Sequence, residues 1–175
     1  SEIEEIKRRL EDSNRRAREV IKRIEDELRR SNEEHRRTLK EIKEELDRVL
    51  EELKRKGVDE SVLDRIRELI ERIAREAEKS HEEHRKLLEE IRKRAEDIHR
   101  RHKEILDDIL RKAEDNRTRE DELREVVKRV HDEVRRELKK LEELVKKVHE
   151  DAKRVNEELR RKVKEVKERA ERDVR

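Results

Sequence analysis

The chain of 175 residues carries 54 Lys and Arg against 52 Asp and Glu, a formal charge of +2, and 61% of its residues are charged while 29% are apolar. It has no Pro, no Cys, no aromatic residue and one Gly, which excludes a thiolate nucleophile or a disulfide framework. The interspersed charge signs lack the basic field that a nucleic-acid partner needs, no run of 18 apolar residues offers a membrane span, and no signal peptide opens the sequence.

So low an apolar fraction means disorder when the apolar residues are scattered. Here they fall in stripes, which predicts helices sharing a narrow core. The first helix is expected over about 2–55, with Ser1 and Glu4 at capping-box spacing. Its stripe reads Ile3, Ile6, Leu10, Ser13, Ala17, then Ile21, Ile24, Leu28, Ser31, His35, then Leu39, Ile42, Leu46, Val49, Leu53. Each group of five returns after 18 residues, which is five whole turns at about 3.6 residues each, so the stripe does not drift around the helix. Lys54, Arg55 and Lys56 suit the negative end of the helix dipole. Gly57 stands where a left-handed C-cap is wanted. Asp59 is then the expected cap of the next helix, with Val58 and Leu63 as a hydrophobic staple.

The second helix is expected over about 60–114. Its stripe is Leu63, Ile66, Ile70, Ile73, Ala77, then His81, His84, Leu88, Ile91, Ala95, then His99, His102, Leu106, Ile109, Ala113. Leu69, Leu87 and Ile105 recur at the same interval and are expected to widen the stripe. Thr118, with Asp121 in the reciprocal position, is the expected cap of a third helix over about 119–173. That helix carries Leu123, Val127, Val130, Val134, Leu138, then Leu141, Val145, Val148, Ala152, Asn156, then Leu159, Val163, Val166, Ala170, Val174. His131 and His149, again 18 apart, flank its edge and are expected to be solvated.

Three helices of near-equal length, each about 80 Å long, with stripes about 120–140° wide, predict one all-α domain over 1–175. The expected form is a straight, elongated up-down-up three-helix bundle with an 18-residue core repeat. Equal helices, strict recurrence, idealised caps and surfaces of Glu, Lys and Arg resemble computationally designed helical bundles. More narrowly, Ser31-Asn32-Glu33-Glu34-His35 and Ser80-His81-Glu82-Glu83-His84 are similar to designed bundles with buried histidine hydrogen-bond networks. That resemblance implies acid-driven opening or disassembly, often in symmetric oligomers of helical hairpins. This chain departs in having three long helices, so the oligomeric state does not carry over.

Folding the stripes together puts residue n of the first helix near 116 − n of the second and n + 120 of the third. Asn14 then falls level with His102, and Asn32 with His84. His35 falls level with His81 and near Asn156, Ser13 near His131, and Ser31 near His149; Ser80 and His99 complete the set. A single such histidine is most simply a satisfied core or boundary residue. Seven of them sorting into two slabs with Ser and Asn at matching heights point to a deliberate network. A neutral imidazole has one donor and one acceptor, and Ser and Asn complement it. The proton-sensing set is therefore His35, His81, His84, His99, His102, His131 and His149, with Ser13, Asn14, Ser31, Asn32, Ser80 and Asn156 as partners. Burial disfavours the imidazolium, so acid is expected to destabilise the fold between about pH 6 and 4.

Rival chemistries fare less well. His81 with His84, and His99 with His102, are three residues apart, not the four of the metalloprotease motif, and Asn and Ser are weak zinc ligands, so no metal and no cofactor is expected. Since three imidazoles can hold zinc and His35 could approach the first pair, a histidine metal-binding bundle stays as an alternative. A packed bundle offers no cleft or oxyanion donors, so no catalysis and no small-molecule substrate is expected. Self-association as a homo-oligomer or filament stays open, and so does membrane contact after acid has freed amphipathic helices.

Overall fold

The computed structural model describes residues 2–115 and 119–174, and it is an all-α three-helix bundle of α1 (Glu2–Arg55), α2 (Glu60–Glu114) and α3 (Glu120–Val174). The expected caps Ser1 and Thr118 lie outside the described residues. No helix of the described chain is long and apolar enough to cross a membrane.

The α1–α2 turn shows how local chemistry ends a helix of 54 residues. The Gly57 amide donates to the Lys54 carbonyl at 3.2 Å, and that of Val58 to Leu53 at 3.4 Å. These are the paired bonds of a Schellman motif, which needs a left-handed residue between them. Gly57 supplies it, at φ +66°. Val58 and Leu63 both pack on the neighbouring core, where Leu53 is buried. Asp59 caps α2 with its backbone alone: its carbonyl accepts the Val62 and Leu63 amides at 3.0 Å. In α3 the first turn carries Glu120, Asp121 and Glu122, which suits the positive end of that helix.

Two compact units organise the contacts. Unit 1 is Ser1–Arg29 with Leu88–Lys146, and unit 2 is Arg30–Leu87 with Lys147–Arg175. In unit 1 the α1 and α2 segments run antiparallel, since Lys7 meets Glu114 and Ser13 meets His102. Its α1 and α3 segments run parallel, since Glu5 meets Arg124 and Arg23 meets Glu142. Unit 2 repeats this internally, with Ser31 on His84 and Lys43 on Glu78, then Glu41 on Arg160 and Glu45 on Lys167.

One end of unit 1 is an apolar cluster of Ile6, Leu10, Leu106, Ile109, Ala113, Leu123 and Val127. Unit 2 has a larger one, running from Leu39 to Leu53 on α1 against Ile66–Ala77 and Leu159–Ala170. Ile6, Ile24 and Ile66 are fully buried, and each such side chain contributes about 1.5–3 kcal/mol of transfer free energy. The many exposed i,i+3 and i,i+4 pairs, such as Arg85–Glu82 at 2.8 Å, are worth only about 0.3–0.5 kcal/mol apiece. The thin core therefore carries the fold.

Two features of the α2 stripe depart from expectation. Leu87 and Ile105 do not widen it; they are 45% and 43% exposed. Ile98 does belong to it and is buried, while His99 beside it is half-buried. The stripe passes between residues 98 and 99, and the histidine in the pattern drew the expectation one residue too far.

Adding a Cβ at Gly57 would meet nothing within 4 Å, so its cost is conformational only. Gly57→Ala is expected to lower the unfolding free energy by about 1 kcal/mol in urea titration, with helical circular dichroism unchanged.

Candidate functional site

Unit 1 holds a triad on three helices. Ser13 Oγ lies 3.2 Å from His102 Nε2 and 3.0 Å from His131 Nδ1. Ser13 and His102 are 4% and 1% exposed. Unit 2 holds the same triad one sequence repeat away: Ser31 Oγ lies 3.1 Å from His84 Nε2 and 2.8 Å from His149 Nδ1. Each hydroxyl owns one hydrogen. It donates to one ring nitrogen and accepts from the other, so each triad at neutral pH fixes complementary tautomers on its two histidines.

Unit 2 extends its triad. The Asn156 amide Nδ2 donates to His35 Nδ1 at 3.1 Å, which leaves the proton of a neutral His35 on Nε2. The His35 ring stands 4.6 Å from His84 and 5.5 Å from His81, centroid to centroid. Positions one repeat earlier in unit 1 hold Ala17 and Leu138, both apolar. The outer rings differ as well. His149 Nε2 is 3.4 Å from the Glu34 carboxylate, whereas Arg16, one repeat before Glu34, lines the cavity beside His131.

Burial and neighbouring charge act in one direction on these rings. Desolvation, then the charges of His84, His81 and His149, push His35 down from 6.5 to about 4. Desolvation, then His131 and His99, push His102 down from 6.5 to about 4. His84 is lowered by desolvation first and by His149 and His81 next, with the Ser31 hydrogen bond opposing. The geometry gives the reason. A second proton on His35 would sit on Nδ1, facing the Asn156 amide donor, and His102 Nδ1 is buried without a hydrogen-bond partner, so a charged ring would carry an N–H with nothing to accept it.

The expected residues separate into two groups. Ser13, Ser31, His35, His84, His102, His131, His149 and Asn156 are brought into hydrogen bonds. His131 and His149, expected at a solvated edge, are half-buried and bonded to the serines. Asn14 and Asn32 are displaced from the histidines they were aligned with, because Ser13 and Ser31 occupy those places. Their Oδ1 atoms, with His81 Nδ1 and His99 Nδ1, are buried without a partner. Ser80 is half-buried and joins neither triad. Glu34 was not singled out, although it lies one residue from His35; a carboxylate beside the polar slab was the available signal. Among the described residues no group of three His, Asp or Glu side chains stands ready to hold a metal ion.

No family model, curated protein or solved structure matches this chain.

Ser13→Ala and Ser31→Ala each orphan two ring nitrogens and are expected to cost about 1–3 kcal/mol in urea titration at neutral pH. Replacing the whole unit 1 triad by apolar residues (Ser13→Val, His102→Leu, His131→Val) is expected to leave stability equal to or above the parent. Greater loss in the triple replacement than in Ser13→Ala would overturn the account of the triad as one complete unit.

Proposed function

We propose that this chain is a structural protein in which buried His, Ser and Asn networks fix helix register at neutral pH and open the bundle in acid. What supports the reading most is one observation: two triads of identical chemistry, one sequence repeat apart, each containing a buried imidazole whose pKa is depressed. The resemblance to designed histidine-network bundles points the same way.

The sign follows from the direction of the shifts. Above pH 6.5 His35 and His102 are neutral both folded and unfolded, and their contribution to stability is complete. As pH falls from 6.5 towards 4 the unfolded chain takes up protons that the folded chain refuses, and stability drops. A ring lowered from 6.5 to about 4 loses about 3 kcal/mol over that window. Below pH 4 the loss levels off.

The groups around each ring set the protons of one cluster against each other. His35 faces His81 and His84 on α2, and His149 and Asn156 on α3. His102 has Ser13 on α1, His131 on α3 and His99 on its own helix. The first proton on either cluster raises the cost of the next, while a triad with both rings charged presses two donors onto one hydroxyl.

Circular dichroism and small-angle scattering from pH 7.5 to 3.5 test this. The expected outcome is loss of thermal stability within the pH 6.5–4 window, with the midpoint displaced downward in His35→Leu and His102→Leu. A melting temperature constant across the window would sink the proposal.

A second reading, self-association, is favoured by Leu87 and Ile105, which lie exposed one sequence repeat apart on α2. Light scattering at neutral pH is expected to give a mass above that of one chain, falling towards it in Leu87→Glu/Ile105→Glu. A mass equal to one chain at every concentration would remove this reading.

A further inference from the structure

In unit 1 the α1–α3 groove is open on both sides of His131. One cavity of about 350 Å³ is lined by Ser13, Arg16, Val127, Lys128 and His131 among others. A second of about 280 Å³ shares Ser13, Arg16 and His131 and continues past Ala17, Val134 and Arg135. Their volumes approach or reach those of small-ligand sites, about 300–1,000 Å³. The room comes from small side chains: Ala17 stands where unit 2 has His35, and the corresponding cavity in unit 2 is about 150 Å³.

Charge separates the grooves as well. The two cavities in unit 1 are walled by Arg9, Arg16, Arg23, Arg124, Lys128 and Arg135 against Asp12, Glu19 and Glu125. The unit 2 cavity has Lys153 and Arg160 against Glu34 and Glu157. Several of the unit 1 arginines are already engaged. Arg9 and Arg124 share Glu5, Arg16 is 3.8 Å from Asp12, and Arg23 is 3.9 Å from Glu142. Lys128 and Arg135 are the two wall cations that make no ion pair among the described residues. They sit seven residues apart on α3, one in each cavity, with His131 between them. Seven residues of helix put their backbones about 10 Å apart on one face.

We infer that this groove is a binding site for a slender dianion: two acid groups at the two ends of an apolar chain, lying across His131. One acid group would meet Lys128 and Arg16 near the Ser13 hydroxyl, and the other Arg135. Val127, Ala17 and Val134 would pack against the chain between them. A monoanion satisfies one end only, and a short dianion cannot reach both. Carboxylate and phosphate heads share this recognition, because Lys and Arg bind either.

Suberate, an eight-carbon dicarboxylate, is the probe. It is titrated at pH 7.5 and low ionic strength, where exposed charges are least screened, while backbone amide shifts are followed by NMR. Octanoate tests the single head, succinate the short span, and 1,8-octanediyl bisphosphate the head chemistry. Saturable shifts centred on Lys128, His131 and Arg135 are expected with suberate and the bisphosphate, and affinity roughly tenfold weaker with octanoate and succinate. Lys128→Glu and Arg135→Glu, both on the exposed surface, are expected to weaken suberate roughly tenfold each, and Lys153→Glu in unit 2 to leave it unchanged. Equal shifts from all four compounds, indifference to the two charge reversals, or no saturation below about 10 mM would overturn the inference. These titrations are done where the bundle is folded at neutral pH, so they stand or fall apart from any acid response.

Discussion

A serine hydroxyl has one hydrogen, and in this protein it lies between two imidazole nitrogens on two other helices. Everything polar in the core follows from that arithmetic. One ring must present a lone pair and the other an N–H, so a neutral triad is complete with one proton on each ring. Two helices meet the third at one oxygen, with distances of 2.8–3.2 Å. Hydrogen bonds demand such distances, whereas leucines tolerate sliding. A buried triad therefore constrains register more tightly than the apolar layers around it.

The two triads are alike at the serine and unlike at their margins. Unit 2 adds His35 and Asn156, whose amide can turn to offer Oδ1 should His35 gain a proton on Nδ1. That oxygen is buried and has no partner, so turning the amide breaks no other hydrogen bond there. Unit 1 has Ala17 and Leu138 in those places, which removes one titrating ring and opens the groove beside His131. Glu34 near His149 and Arg16 near His131 put opposite charges at the two outer rings. His149 lies 3.4 Å from a carboxylate, whereas His131 shares its cavity wall with arginine. Identical hydrogen-bond chemistry is thus set in two electrostatic surroundings.

Much of this was legible in the sequence because the recurrence preserves angle. The stripes gave three helices, Gly57 gave the turn, and antiparallel bookkeeping brought Ser13, His102 and His131 to one height within half a turn. Half a turn was also the limit. At that resolution Asn14 and Ser13 are indistinguishable, and the choice between them depends on side-chain reach: a hydroxyl one bond from Cβ can sit between two rings on neighbouring helices. The same margin let His99 displace Ile98 in the α2 stripe and put Leu87 and Ile105 inside it. Cavities beside His131 were not legible at all, since they depend on how several side chains of α1 and α3 pack around Ala17, and no single residue announces them.

The recurrence that made the fold readable also poses its own hazard. A helix whose pattern returns with every repeat could slip by one whole repeat and still bury apolar side chains. Polar residues break that degeneracy because they fill only two of the three repeats. Positions equivalent to Ser31, His84 and His149 in the remaining repeat are Val49, Ile66 and Lys167. Sliding α1 by one repeat would set Ser13 against His84 and His149, a satisfied triad. It would also place Ser31 level with Ile66 and Lys167 and leave His102 and His131 without a serine. His35 would lose Asn156, and Asn156 would face Ala17. Each buried polar group so stranded costs about 1–3 kcal/mol, and several are stranded together. An apolar core would be at least as stable at neutral pH, but nothing in it would penalise the slip. On the proposed reading the triads single out the one register in which both are complete at once, and a response to protons would follow from building that feature out of imidazole.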